Sequence, residues 1–221
     1  MLELGVKFLI SYFIGSLMGA MIVGRIRGGV DIRTMGSGNA GGTNALRTQG
    51  VLFALGVVII DVAKGVIGAG VVPGIDLPFV ATDPELSRTW LTMSCAAAAV
   101  IGHVWPIYHG FRGGKGAATF VGTLTILGPP SIILVLVVWS VVVALTGYVG
   151  LASMSAATSL PIWLGIMRLP EDQPFFIYSI VMAGLIIFCH RANIQRMRHG
   201  NENRDTRMML FGRKRANSSD E

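Results

Sequence analysis

The stretch VLFALGVVIIDVAKGVIGAGVV, residues 51–72, decides what kind of protein this is. Its only charged residues are Asp61 and Lys64. At about 1.5 Å per residue it is long enough to cross a bilayer as one helix. Asp61 and Lys64 stand at i, i+3, so they share a helix face and can pair. Ionisable groups at membrane depth are expensive. Two readings stay open: a functional site, or a structural pair that snorkels toward the interface.

The rest of the chain has the same character. Its 221 residues are 52% hydrophobic and 14% charged, with a mean hydropathy of +0.62. Soluble domains carry about 25% charged residues. Apolar runs recur at 4–23, 51–72, 89–106, 117–128, 131–147, 151–167 and 175–190. The expected fold class is therefore all-α, a polytopic membrane protein of about seven transmembrane helices. The run at 117–128 is short, and Pro129 and Pro130 let the chain turn back directly after it. Residues 1–198 read as a single transmembrane catalytic domain and 199–221 as a basic, disordered tail. The N-terminus has no basic n-region or A-x-A site, so it reads as a retained span.

Charge supplies the orientation. Arg25, Arg27, Arg33 and Arg47 fall in the loop at 24–50, Arg112 and Lys115 in the next loop on that side, and eight Lys or Arg in the tail. The alternate loops, 73–88 and 168–174, carry Asp76, Asp83, Glu85, Glu171 and Asp172 against Arg88 and Arg168 alone. The positive-inside rule then places the C-terminus and both glycine-rich loops in the cytoplasm and the N-terminus outside. The net charge of +6 and pI near 9.8 stem from the same rule and argue against nucleic acid as a partner. The tail's GRKR cluster could touch anionic headgroups or be solvated. Cys95 and Cys189 lie in apolar runs without CxxC spacing, so no disulfide framework or zinc site is expected.

Two loops carry anion chemistry. GSGNAGGTNALR places Gly36, Gly38, Gly41 and Gly42 among Ser37, Asn39, Thr43 and Asn44, with Arg47 just beyond. Glycines let backbone amides approach a ligand, and successive amides form an anion nest. Arg47 offers a bidentate fork to phosphate or carboxylate. GHVWPIYHGFRGGKGAAT places Gly113, Gly114 and Gly116 around Lys115, with Arg112 and His103 nearby and a helix expected just after. Plain turns and positive-inside residues explain each loop by itself. Two such loops on one side favour phosphate binding. In HRANI, His190 and Asn193 are i, i+3 on one face. A histidine there could act as a base or hydrogen-bond an oxygen.

Taken together and in order, GSGNAGGTNALRTQG, DVAKG, GHVWPIYHGFRGGKGAAT and HRANIQRMRHGNE resemble the bacterial acyl-phosphate glycerol-3-phosphate acyltransferase family over residues 36–202. The resemblance implies a seven-span, multi-pass enzyme of the bacterial inner membrane with its motifs on the cytoplasmic side. The implied reaction moves an acyl chain from acyl phosphate to the sn-1 hydroxyl of glycerol 3-phosphate. It gives lysophosphatidate and inorganic phosphate, the first acylation of phospholipid synthesis. It implies no metal and no cofactor. The expected partners are acyl phosphate, glycerol 3-phosphate and membrane lipids, with the protein a monomer. Carried over by motif, the catalytic candidates are Ser37, Arg47, Lys115, His190 and Asn193. The substrate-binding candidates are Gly36, Gly38, Asn39, Thr43, Asn44, His103, Arg112, Gly113, Gly114, Gly116 and Ser153. The family is serine-rich where this chain reads YVGLASMS, with Gly150 at a position where serine is common.

The chemistry fits these residues. Acyl phosphate is a mixed anhydride with a good leaving group, so direct attack by the glycerol hydroxyl needs no covalent enzyme intermediate. Lys115 and the loop amides would stabilise the leaving phosphate. Arg47, His190 and Asn193 would hold glycerol 3-phosphate. The proton goes to a phosphate oxygen or to His190. Acyltransferases of the HxxxxD type are disfavoured, because Tyr108, Gly114, Gln195 and Arg204 stand five residues after the four histidines. No G-x-S-x-G elbow occurs. The alternative is a small phosphate-ester or organic-anion transporter, which would place its glycine breaks near mid-membrane in paired halves.

Overall fold

The structure, a computed structural model, describes residues 1–210 and is all-helical, with no strand among them. The tail's GRKR cluster lies outside the described residues. Two compact units divide at Pro129/Pro130. The first holds α1 (Leu2–Gly15), α2 (Gly19–Ile26), α3 (Gly42–Gln49), α4 (Val51–Gly70), α5 (Arg88–Val104) and α6 (Ala117–Leu127). The second is built from α7 (Pro129–Thr146), α8 (Val149–Met167), α9 (Gln173–Cys189) and α10 (Arg191–Arg198).

Four helical stretches are long and apolar enough to span a membrane: Val51–Gly74, Arg88–His109, Pro129–Thr146 and Val149–Met167. The count rises to six if the bent pairs α1–α2 (41°) and α9–α10 (54°) each make one span. The remaining expected span is α6, whose 11 residues fall short of this length. At about 1.5 Å per residue it covers roughly half of a hydrocarbon core. Gly116, at φ +83°, sets where α6 starts, and the chain breaks at Gly128 before Pro129 opens α7.

The first apolar run, expected as one helix, is broken between Gly15 and Gly19. A break strands a carbonyl and an amide that lipid cannot satisfy. Lys64 Nζ donates to Leu17 O at 3.0 Å, and Asp61 Oδ1 accepts from Gly19 N at 3.2 Å. The two side chains pair at 2.9 Å, both almost fully buried. The charged residues within α4 therefore cap a helix break in their neighbour.

α1 is inverted relative to a soluble helix. Its buried face is Glu3, Lys7, Ser11 and Gly15, one residue per turn. Lipid accepts the apolar face, so polar groups turn inward to find partners. Lys7 Nζ lies 2.9 Å from Glu3 Oε1 and 2.7 Å from Pro73 O, and Arg88 closes on Glu3 at 2.6 and 3.0 Å.

Small residues set the helix spacing, as expected where no hydrophobic force drives helices together. A Cβ on Gly15 would overlap the Ala99 backbone, and one on Gly102 the Tyr12 carbonyl, so α1 and α5 meet backbone to backbone. A Cβ on Gly65 would overlap Thr119 O, and one on Gly122 would overlap Val62 O, which fixes α6 on α4. Gly184 faces outward with nothing near its missing Cβ.

Gly102→Leu and Gly122→Leu should each destabilise the fold by about 1–3 kcal/mol or more. Gly184→Leu should leave stability unchanged. Thermal midpoints of the purified variants in detergent check this, and an unchanged Gly122→Leu midpoint would mean that the α4–α6 contact is not close-packed.

Candidate active site

The first glycine-rich loop is folded around one side chain. Asn44, in the first turn of α3 and 1% exposed, donates through Nδ2 to Ile32 O, Met35 O and Asn39 O at 2.9–3.0 Å. Its Oδ1 accepts from Ser37 N at 3.0 Å. Gly36, at φ +56°, crosses so close that a Cβ would overlap Asn44 Oδ1. Expected as a ligand contact, Asn44 instead holds the loop, because its amide is spent internally. Outward, the loop presents Ser37, with Gly36 and Gly38 exposed on either side. Thr43 and Arg47 are i, i+4 on α3, with Thr43 and Asn39 half-buried and Arg47 exposed. Arg47 makes no hydrogen bond or ion pair among the described residues.

The second loop is less of a nest than its composition suggests. After α5 the chain makes a short 3-10 turn, Ile107–His109, then turns back on the end of the helix. Gly113 N donates to Val104 O at 3.2 Å and Gly114 N to His103 O at 3.1 Å. A Cβ on Gly113 would overlap His103 O, and one on Gly114 the His103 ring. These two glycines therefore serve packing, and their amides are not offered to a ligand. Next in the chain come Lys115, half-buried, then the buried, left-handed Gly116 and the first turn of α6. First-turn amides have no partners within their own helix and carry the positive end of its dipole. The Thr119 hydroxyl in that turn is buried and makes no hydrogen bond among the described residues.

His103, expected to contact substrate, is only 3% exposed. Its Nδ1 lies 3.3 Å from Asp61 Oδ1, within attraction but out of line for a hydrogen bond. Its place is behind the second loop.

Arg33 brings the two loops together. Asp31 grips its guanidinium at 2.8–3.2 Å, and Nη1 reaches the carbonyls of His109 and Arg112 at 3.4 Å. The exposed Arg112 thus contributes its backbone to this bridge. Composition marked neither Asp31 nor Arg33 for this role; their i, i+2 spacing was the available signal.

In the second unit, His190 sits at the bend between α9 and α10. Its Nδ1 is 2.7 Å from Ile186 O. A carbonyl only accepts, so Nδ1 carries a hydrogen, and when the ring is neutral its lone pair is on Nε2. Asn193, one turn on, donates to Glu202 Oε1 at 2.6 Å, and Glu202 Oε2 takes Arg196 Nε at 2.7 Å. Glu202 therefore orients Asn193; a carboxylate within a basic stretch was the clue to it. A Cβ at Gly150 would lie 3.0–3.2 Å from Asn193 side-chain atoms, so a serine there would have to move the asparagine. Ser153 is engaged within the unit: its hydroxyl donates to Val149 O at 3.0 Å and accepts from Trp139 Nε1 at 3.3 Å. The tail is ordered as far as described. Arg204 Nε bonds Thr146 O at 2.8 Å, and Leu210 N bonds Ala144 O at 3.0 Å.

Hydrogen bonding to Arg33 holds the Asp31 carboxyl below the usual carboxylate range. A depressed carboxylate stabilises the fold above its unfolded pKa of about 4, and that stabilisation is lost as pH falls through the folded value. Amide exchange at residues 31–38 and 107–113 should stay protected at neutral and mildly acidic pH and open only in stronger acid. Glu202→Ala should cut activity about tenfold by freeing Asn193, with Glu202→Gln milder. Turnover rates of the two variants check it.

Comparison with known proteins places this geometry. Residues 6–200 match the family described as Glycerol-3-phosphate acyltransferase. The chain is 38% identical over 226 residues to the glycerol-3-phosphate acyltransferase of Chlorobaculum parvum, covering 93% of this chain and 96% of that one. It is 34% identical over 238 residues to the enzyme of the same name from Pelodictyon phaeoclathratiforme, covering 97% and 100%. It superposes with a TM-score of 0.76 and 29% identity on the crystal structure of PlsY (YgiH), an integral membrane glycerol 3-phosphate acyltransferase, in its glycerol 3-phosphate form. That match covers 91% of this chain and 94% of the other. The lysophosphatidic acid form of the same protein matches with a TM-score of 0.75.

Proposed function

The chain belongs to the glycerol-3-phosphate acyltransferase family, an integral membrane acyltransferase, and from that premise we propose that its acyl donor is acyl phosphate and its acceptor the sn-1 hydroxyl of glycerol 3-phosphate. The hydroxyl oxygen attacks the acyl carbonyl carbon. The bond from that carbon to the bridging phosphate oxygen breaks, and phosphate leaves with the electron pair. The hydroxyl proton passes to a phosphate oxygen or to His190. The products are lysophosphatidate and inorganic phosphate. In the related solved structures, one form is named for glycerol 3-phosphate and the other for lysophosphatidic acid, an acceptor and a product of this kind.

The observation that carries the reading is the Arg33 bridge. It sets an exposed Ser37 loop beside the loop that delivers Lys115 and the start of α6, giving one end of the first unit cationic and amide groups suited to a dianion. We assign Ser37, Lys115 and the first turn of α6 to the acyl phosphate, with Lys115 stabilising charge on the leaving phosphate. Gly36 and Gly38, and on the other side Gly113, Gly114 and Gly116, shape these loops. Arg47, Thr43, Asn39, His190 and Asn193 are assigned to glycerol 3-phosphate. His190 Nε2 is an acceptor of the kind that either a bound hydroxyl or a transferred proton requires. We place the enzyme in the bacterial inner membrane, with its N-terminus outside and its site and C-terminus on the cytoplasmic side, on the Lys and Arg asymmetry of its loops.

The test is phosphate release by purified protein from palmitoyl phosphate, with and without glycerol 3-phosphate. Release should require glycerol 3-phosphate and yield lysophosphatidate. Lys115→Ala should lower turnover by about 10²–10³, the usual cost of losing a group that stabilises developing charge. His190→Ala should fall as well; if the acidic limb of its pH–rate profile disappears, the proton goes to His190, and if the limb persists, it goes to phosphate. Folded protein that transfers no acyl group would overturn the donor assignment.

A further inference from the structure

One buried atom stands behind the Lys115 loop. Asp61 Oδ1 receives Gly19 N at 3.2 Å and Lys64 Nζ at 2.9 Å, and His103 Nδ1 lies 3.3 Å away. These side chains come from α4 and α5, and all are 4% exposed or less. The other edge of the His103 ring abuts the second loop. A Cβ at Gly114 would overlap Nε2 and stand 2.8 Å from Cε1 and 3.1 Å from Cδ2. The backbone closes the same contact, with Gly114 N donating to His103 O at 3.1 Å. Lys115 is the next residue. Beyond it, α6 is pressed on α4 where a Cβ at Gly65 would overlap Thr119 O and sit 3.0 Å from Thr123 N. The segment 114–119 is thus bounded on one side by the His103 ring and on the other by the turn of α4 just after Asp61.

We propose that Asp61 and His103 are positioning residues for Lys115: the carboxylate fixes the imidazole, the imidazole is the floor on which Gly114 rests, and that floor sets the reach of the Lys115 ammonium toward the leaving phosphate. The proposal rests on the assignment of Lys115 to the acyl phosphate. It explains why residue 114 carries no side chain: the missing Cβ is the space the ring occupies. It also explains why a histidine almost without exposure lies within a loop motif of anion-binding composition. His103 acts through Lys115 and never touches substrate.

The experiment uses full-length protein and steady-state kinetics with palmitoyl phosphate and glycerol 3-phosphate. His103→Ala should lower kcat/KM for palmitoyl phosphate about tenfold, through KM, kcat or both, since Lys115 holds that substrate and stabilises its leaving group and small displacements of a positioning group carry costs of this order. KM for glycerol 3-phosphate should stay within about twofold. In a Lys115→Ala background, the same His103→Ala change should have no further effect on kcat/KM for palmitoyl phosphate. Gly114→Ala should reproduce the defect, and Gly114→Ala with His103→Ala should be no worse than the poorer single variant, because the new methyl enters the vacated space. Gly114→Ala leaves the buried charges intact, so it gives an answer even if His103→Ala or Asp61→Asn does not fold. Equal rises in both KM values, or multiplicative effects in either double variant, would overturn the proposal. If Lys115→Ala keeps full activity, the assignment of Lys115 fails first. If Lys115→Ala is impaired while His103→Ala and Gly114→Ala keep parental kcat/KM values, only the positioning role fails.

Discussion

The structure of the first unit turns on the ion pair buried in α4. Bringing a carboxylate and an ammonium to membrane depth costs several kcal/mol each unless every lone pair and proton finds a partner. Here the partners are main-chain groups released by the break between α1 and α2, Leu17 O and Gly19 N. Each problem solves the other. An unbroken first helix would leave Lys64 and Asp61 only each other and the His103 ring beside Asp61, and an uncharged α4 would leave two peptide groups facing hydrocarbon. The bend in the N-terminal span and the DVAKG sequence are therefore one feature, seen from two helices.

Much of this fold was legible because lipid imposes simple rules. The run at 51–72 became α4 and its short extension to Gly74 because length and apolarity alone decide a span. The prolines at 129 and 130 ended one helix and began the next because proline is at home in a helix's first turn. The run at 4–23 misled, since its break is fixed by side chains far away in sequence, and no local residue announces it. The run at 117–128, short in the sequence, is a short helix that α4 shelters on one side through Gly65 and Gly122.

The candidate site was legible in its list of residues and less so in the work of each. Composition cannot tell a glycine that opens its amide to a ligand from one that makes room for a neighbour. Gly113 and Gly114 are of the second kind, since their amides return to the end of α5. Asn44 and Ser153 have side chains that suit a substrate and are spent on the protein itself. His103 lies behind the loop that its motif places it in. Asp31, Arg33 and Glu202 escaped notice because surface-type charges in polar segments look solvated until their geometry is seen. For Arg33 and His103 the deciding contacts, to the carbonyls of His109 and Arg112 and to Asp61, join residues far apart in the chain.

The inward polar face of α1 bears on how the protein is made. Glu3 and Lys7 leave the ribosome long before Arg88 and Pro73, the groups that complete their bonding. Until those arrive, the first helix holds a charged pair with unfilled hydrogen-bonding capacity, a poor guest in hydrocarbon. Its stable residence in the bilayer waits for the third apolar run to emerge. Biogenesis of this enzyme is thereby coupled to its tertiary contacts, and the N-terminal span settles into the membrane as part of a bundle.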